Sequence, residues 1–293
     1  MLKKIHLFLK KPRPISKILF EIFKEKFSRK INNEYLKCFY EYTNTPIKKI
    51  NAKIYVIGDS HTNFFGGTEY INFLPLENHI NTSCNLVDFF KTFHLGPALA
   101  YNSNTNSSTN TLAKTLYLIE KNYLPPKSTL LLCFGEIDIR VHVLKQAEKQ
   151  NKTVEQVIED ILDNYLKYLK ILQNKGYHII CWGAIASQKD EWETNPDYPK
   201  YGSEIERNQA TSQFNKKLKE ICLANKLRFL SIFDDLVTAD GETIEDFLAK
   251  DKCHLSQKAI PLVVKALIDN EIFTLQNNEL ILNSTIKKLS KTL

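Results

Sequence analysis

Short apolar runs alternate along this chain with longer stretches in which apolar residues recur every three or four positions. Lys53–Ile57, Thr129–Phe134 and His178–Trp182 are runs of the first kind, and Thr129–Phe134 is continuous, as a strand covered on both faces requires. Leu227–Ser231 and part of Asn85–Leu95 predict two more strands. Leu112–Glu120, Val154–Leu172, Glu204–Ala224 and Ser256–Ile268 read as helices. Gly176 follows the second of these as a stop, and Ser256 is placed to cap the last. A short helix is expected over residues 242–250; residues 66–83 and 102–110 read as loops, and residues 270–293 fit no single pattern. Strands alternating with helices of ten or more residues predict an α/β fold, a mainly parallel sheet with helices on both faces. Ligands of such folds bind beyond the carboxyl ends of the strands. The loops after Gly58, Gly96 and Gly135, and the segment after Asp234, are therefore where chemistry is expected.

Charge changes this picture at one end only. The net charge is +7, but residues 1–53 carry 14 Lys/Arg against 4 Asp/Glu, and the remaining residues 26 against 29. The body of the protein thus gives no support to a nucleic-acid partner. Residues 1–50 read as a basic appendage, residues 51–270 as the domain, and residues 271–293 as an extension. Within residues 1–30 the apolar and lysine positions suggest an amphipathic helix, either an anchor on an anionic membrane or partner, or a helix packed on the domain. The N-terminal apolar stretch is broken by Lys10, Lys11 and Arg13 and lacks a small-residue cleavage site, so a cytoplasmic protein, at most peripheral to the inner membrane, is expected. No run approaches the ~18 apolar residues of a membrane span. The six cysteines are scattered and form no C-x-x-C pair, which argues against a disulfide scaffold or structural zinc. No His/Cys/Asp set has metal-site spacing, and no nucleotide-binding glycine motif is present.

Two short segments carry candidate chemistry. Gly58-Asp59-Ser60-His61 follows the first strand, where a serine can be exposed at the sheet edge; the alternative is a turn with Ser60 as a helix cap. Asp251-Lys252-Cys253-His254 lies before the last helix. Three-residue spacing lets Asp251 hold the His254 imidazole while the far nitrogen serves a nucleophile; the alternative is a surface Asp–His pair. A serine hydroxyl needs such a base near neutral pH. His61, adjacent to Ser60, points elsewhere and is expected to line the pocket rather than act as base.

Taken in order, four segments resemble the SGNH, or GDSL-type, ester hydrolases: Gly58–His61, Leu95-Gly96-Pro97, Gly135-Glu136-Ile137-Asp138 and Asp251–His254. Three of only nine glycines fall at the family's positions. The resemblance spans about residues 53–268. It implies a three-layer α/β/α sandwich, Ser60 as nucleophile, His254 as general base, Asp251 as its orienter, and backbone N–H groups of Ser60 and Gly96 as oxyanion donors.

One position departs from the family pattern. The third segment normally carries an asparagine whose amide is a further oxyanion donor, and here Ile137 stands there. One such donor is worth ~10²–10³ in rate. Asn63, Asn102, Asn104 and Arg140 are candidate substitutes. Read as extended chain, residues 135–142 put Glu136, Asp138, Arg140 and His142 on one side. They then form either a polar pocket wall, with Arg140 gripping an anion, or a buried network that braces the loop. The variant third segment resembles a subgroup linked to bacterial surface polysaccharides. Asp59, His61, Glu136 and Arg140 are the expected substrate-binding residues. The expected function is serine-dependent hydrolysis of acyl esters, acetyl foremost, on a carbohydrate, without cofactor. The same site would serve an O-acetyltransferase using acyl-CoA. A rival of another class is a catalytically weak glycan-binding module.

Overall fold

The structure, a computed structural model, describes residues 33–50, 53–68, 73–83, 87, 89–105, 107 and 109–283. The expected basic helix within residues 1–30 lies outside the described residues. Helix α1 covers residues 33–43. Strands β1 (Lys49–Ile50) and β2 (Ile54–Gly58) follow, then the single turn α2 (Thr62–Phe65). Next come β3 (Phe73–Pro75), β4 (Asn81–Ser83), β5 (Phe90–His94), α3 (Thr111–Glu120) and β6 (Thr129–Cys133). A π-helical turn, Asp138–Val143, leads into α4 (Leu144–Gln150) and α5 (Val154–Asn174). The chain continues through β7 (His178–Trp182), α6 (Glu204–Ala224), β8 (Arg228–Leu230), α7 (Ile260–Asp269), β9 (Phe273–Gln276) and β10 (Glu279–Leu282).

Seven strands form the main sheet in the order β3-β4-β5-β2-β6-β7-β8. The five from β5 to β8 are parallel, and β3 and β4 add an antiparallel edge. That edge falls in the segment expected to be a loop. Its strands are three residues long, too short for an alternating pattern to register. Apolar side chains alternate across the sheet. Ile54 and Val56 of β2 and Leu131 of β6 join one core with Tyr35 and Phe39 of α1 and Val263, Val264 and Leu267 of α7. Ile57, Leu130 and Leu132 join the other, with Leu118 of α3, Ile158 and Leu162 of α5, and Phe214 and Leu218 of α6. The result is the expected three-layer α/β/α sandwich. Both long helices start with capping boxes, Thr153 with Gln156 and Ser203 with Glu206, which satisfy N–H groups that the first turn leaves orphaned.

The core runs past both boundaries drawn from sequence. Tyr35 and Phe39 are fully buried, as are Ile272 and Leu280. Strands β1, β10 and β9 form a separate three-stranded sheet that ties residues 49–50 to residues 273–282. Residues 33–50 and 271–283 thus pack as part of the domain, because their aromatic and aliphatic side chains complete one face of the core. Among the described residues no helix is long and apolar enough to cross a membrane.

The strand order sets the site. The chain passes from β2 to β5 on one side, then back over β2 to β6 on the other. A crevice opens where such an order reverses, beyond the carboxyl end of β2. In register, Gly58 lies between His94 and Cys133, so the loops holding Ser60, Gly96 and Gly135 leave from one rim. Gly58 is required there: a Cβ would sit 1.9 Å from the carbonyl oxygen of Cys133.

Candidate active site

Ser60 follows β2 and precedes α2, whose cap is His61 rather than Ser60. The Ser60 hydroxyl lies 2.7 Å from His254 Nε2, and His254 Nδ1 lies 2.7 Å from Asp251 Oδ2. The helix expected over residues 242–250 is only a 3₁₀ turn, Glu245–Phe247. The Asp–His segment is a tight loop pinned by backbone bonds from Ala249 to His254 and from Ser256 to Phe247. Within it, Asp251 Oδ1 accepts the N–H groups of both Cys253 and His254 at 3.0 Å. The carboxylate's other oxygen is thereby aimed at the imidazole. Burial acts against the Asp251 charge, but these bonds and His254 outweigh it and hold the carboxyl well below the usual carboxylate range. The three residues expected to form a triad are brought together.

The second segment supplies Gly96 at φ +98°, a conformation L side chains rarely adopt. Lys114 of α3, unremarked in the sequence, donates from Nζ to the carbonyl of Leu95 at 2.5 Å, putting a cation beside that loop. His94, one residue earlier in the chain, is half-buried, and that desolvation, then Lys114 and His254, lower its pKa to about 4.

The third segment does not run extended. Residues 138–143 wind as a π-helical turn, so Glu136 and Arg140 meet across one turn instead of along a strand face. Arg140 donates Nε to Glu136 Oε1 at 2.5 Å and Nη2 to Oε2 at 3.1 Å, and a further N–H to the carbonyl of Tyr198. At 6% exposure it is bound up in these contacts. The bracing reading of Arg140 therefore replaces that of an anion grip. Asp138 turns away from its neighbours and accepts the N–H groups of Ala100 (2.8 Å) and Tyr101 (3.0 Å), stitching the third segment to the second. Burial raises its pKa to about 7 in spite of those two donors. Ile137 is buried and donates nothing. Asn63 is also buried, its amide held to the Thr68 carbonyl at 3.2 Å.

His61 is the unexpected centre of the site. Its Nε2 lies 3.3 Å from Glu136 Oε2, its backbone N–H donates to Asp59 Oδ1 at 2.9 Å, and its ring packs 4.6 Å from that of His254. Burial disfavours the imidazolium, but Asp59 and Glu136 outweigh it and raise the pKa well above the ordinary value. Asp59 is itself buried; burial raises its pKa, and its Oδ2 has no hydrogen-bond partner among the described residues. Cys253 completes the group. Ligand atoms of His61, Cys253 and His254 lie within 4.8 Å of one another. Sequence spacing could not reveal this cluster, because 192 positions separate residues 61 and 253.

The chain matches no protein-family model. A search of curated proteins likewise finds no match. Among solved structures it is similar to the carbohydrate acetylesterase Est24 from Sinorhizobium meliloti (12% identity, TM-score 0.43, covering 75% of this chain and 98% of that one). It is also similar to a GDSL-like lipase from Bacteroides thetaiotaomicron (12%, 0.42, 81% and 98%) and an extracellular lipase from Streptomyces rimosus (12%, 0.44, 75% and 99%). These are distant likenesses. Independently of them, the four segments read from the sequence all open onto one rim of an α/β/α sandwich, in the arrangement that the SGNH resemblance implies.

Proposed function

We propose that this protein is an SGNH-type serine hydrolase that cleaves acyl esters, acetyl foremost, on a carbohydrate. The observation that carries the reading is the Ser60–His254–Asp251 line, with two successive contacts of 2.7 Å. Asp251 keeps a proton on His254 Nδ1, so Nε2 is free to take the proton of Ser60 as its oxygen attacks the ester carbonyl. The acyl-enzyme forms as the sugar hydroxyl leaves with the proton from His254, and water reverses the sequence. Backbone N–H groups of Ser60 and Gly96 are the proposed donors to the oxyanion.

A cavity of about 290 Å³ lies beside the third segment, with Asn102, His142, Gln146 and Gln150 on its polar side and Leu99, Val157 and Ile161 on its apolar side, room for a substrate with both kinds of surface. The test is hydrolysis of 4-nitrophenyl acetate and release of acetate from an O-acetylated polysaccharide, with covalent labelling by a fluorophosphonate. Wild type is expected to react in all three, and Ser60→Ala in none. Equal rates for the two proteins would remove Ser60 as nucleophile.

A further inference from the structure

We propose that His61, Cys253 and His254 form a binding site for a thiophilic divalent cation, Zn²⁺, and that the cation switches the site off by taking His254 from Ser60. The ligand set is chemically apt: two imidazoles and a thiol are zinc's preferred donors. In tetrahedral coordination, with Zn–N of about 2.0–2.1 Å and Zn–S of about 2.3 Å, donor atoms stand roughly 3.3–3.7 Å apart. The three donors already lie within 4.8 Å of one another, so small side-chain rotations close the set.

The surroundings favour a metal independently. In zinc sites a ligating histidine gives its second nitrogen to a carboxylate, which fixes the ring. Both histidines are held that way here: His61 Nε2 by Glu136, and His254 Nδ1 by Asp251. The nitrogens left to face inward are His61 Nδ1 and His254 Nε2. His61 is 7% exposed, its Nδ1 is buried, and the polar group beside that side of the ring is the Cys253 thiol. Charge points the same way. Asp59, Glu136 and Asp251 surround the cluster; of the nearby cations, Arg140 is paired with Glu136, and Lys252 lies over the Trp192 ring and bonds Glu245.

On binding, the Cys253 S–H proton and any second proton on His61 leave to solvent, and sulfur and the two nitrogens coordinate the metal. Ser60 Oγ, which contacts His254 Nε2, or a water takes the fourth position. Ser60 then has no base, and hydrolysis stops. Only this last step rests on the hydrolase reading; the metal site does not.

The test separates the two. Full-length Ser60→Ala protein, stripped with EDTA, is titrated with Co²⁺ and followed by thiolate-to-cobalt charge-transfer absorption, with Zn²⁺ as competitor. One Co²⁺ per chain with a thiolate band is expected. Loss of one ligand should weaken binding by more than the ~10–100-fold typical of an outer-shell change. Cys253→Ala and the nearly isosteric Cys253→Val, each checked for an unchanged melting temperature, should therefore lose the band. In wild type, Zn²⁺ should stop 4-nitrophenyl acetate hydrolysis over the concentration range in which it displaces Co²⁺, and EDTA should restore it. Binding without a thiolate band, or a band that survives in both Cys253 variants, overturns the site. Hydrolysis in wild type with no cobalt band also overturns the site and leaves the hydrolase standing. A band on protein that hydrolyses nothing supports the site and removes the proposed function instead.

Discussion

Replacing Asp251 with asparagine should cost far more activity than stability, and the hydrogen bonds around the residue show why. One carboxylate oxygen accepts two backbone N–H groups and the other accepts His254 Nδ1. An asparagine has one acceptor oxygen. Kept on the two backbone donors, it turns its NH₂ toward His254 Nδ1. That nitrogen must then accept, which moves the ring proton to Nε2, where it faces Ser60 and blocks proton abstraction. A wrong tautomer of this kind lowers kcat by about 10⁴-fold, roughly 5 kcal/mol of transition-state stabilisation. The loop should hold, since its backbone bonds are retained. Steady-state hydrolysis of 4-nitrophenyl acetate, read beside the melting temperature, measures both effects. The Asp251 side chain is 40% exposed, so formate can reach the gap left by Asp251→Ala and should restore part of its activity. An Asp251→Asn rate within tenfold of wild type, with unchanged melting, would refute the orientation role.

Two further outcomes follow from buried charge. Asp138 has a folded-state pKa of about 7 against an ordinary 3.8, so the folded protein binds the proton more tightly than the unfolded chain. Its contribution to stability is therefore full below pH ~4 and is lost as pH rises through 7, by as much as about 4 kcal/mol. Urea unfolding at pH 4.5 and 7.5 should show wild type losing stability relative to Asp138→Asn as pH rises; a pH-independent difference would contradict this. Glu136→Gln strands the Arg140 guanidinium, which is 6% exposed, and should destabilise by about 3–5 kcal/mol in urea titrations. Glu136→Gln combined with Arg140→Met should recover much of that loss, because no unpaired charge remains buried.

The parts of this protein legible in its sequence are those governed by local pattern. The continuous run at Thr129–Phe134 and the stripe from Val154 onward announce a covered strand and an amphipathic helix whatever the rest of the chain does. Glycine scarcity made Gly58, Gly96 and Gly135 stand out, and with them the loops that carry the site. Non-local facts did not register. Strand β4 leans on the edge of β5, and the hairpin of β9 and β10, turned at Asn277-Asn278, finds its third strand at residues 49–50, far away in the chain. Residues 135–143 follow no period that distinguishes an extended segment from a π-helical turn. Their winding shows only in the pairing of Glu136 with Arg140. Lys114 carries no local signal, because its partner is a carbonyl 19 positions away.

The same winding sets what surrounds Ser60. A buried ion pair such as Glu136–Arg140 is weak evidence of stability, since apolar residues of similar volume are often as good. What it contributes here is position. Glu136 holds the ring of His61 directly beside His254, and Arg140 holds the Tyr198 carbonyl and, through its own carbonyl, the N–H of Tyr201. One pair thus fixes the neighbour of Ser60 and the long loop after β7 at once. A group that costs no reorganisation during reaction is worth more than one that must be moved into place. At Ile137 the third segment offers no side-chain donor, and beside Ser60 it places a charged frame of Glu136, Arg140 and His61 instead.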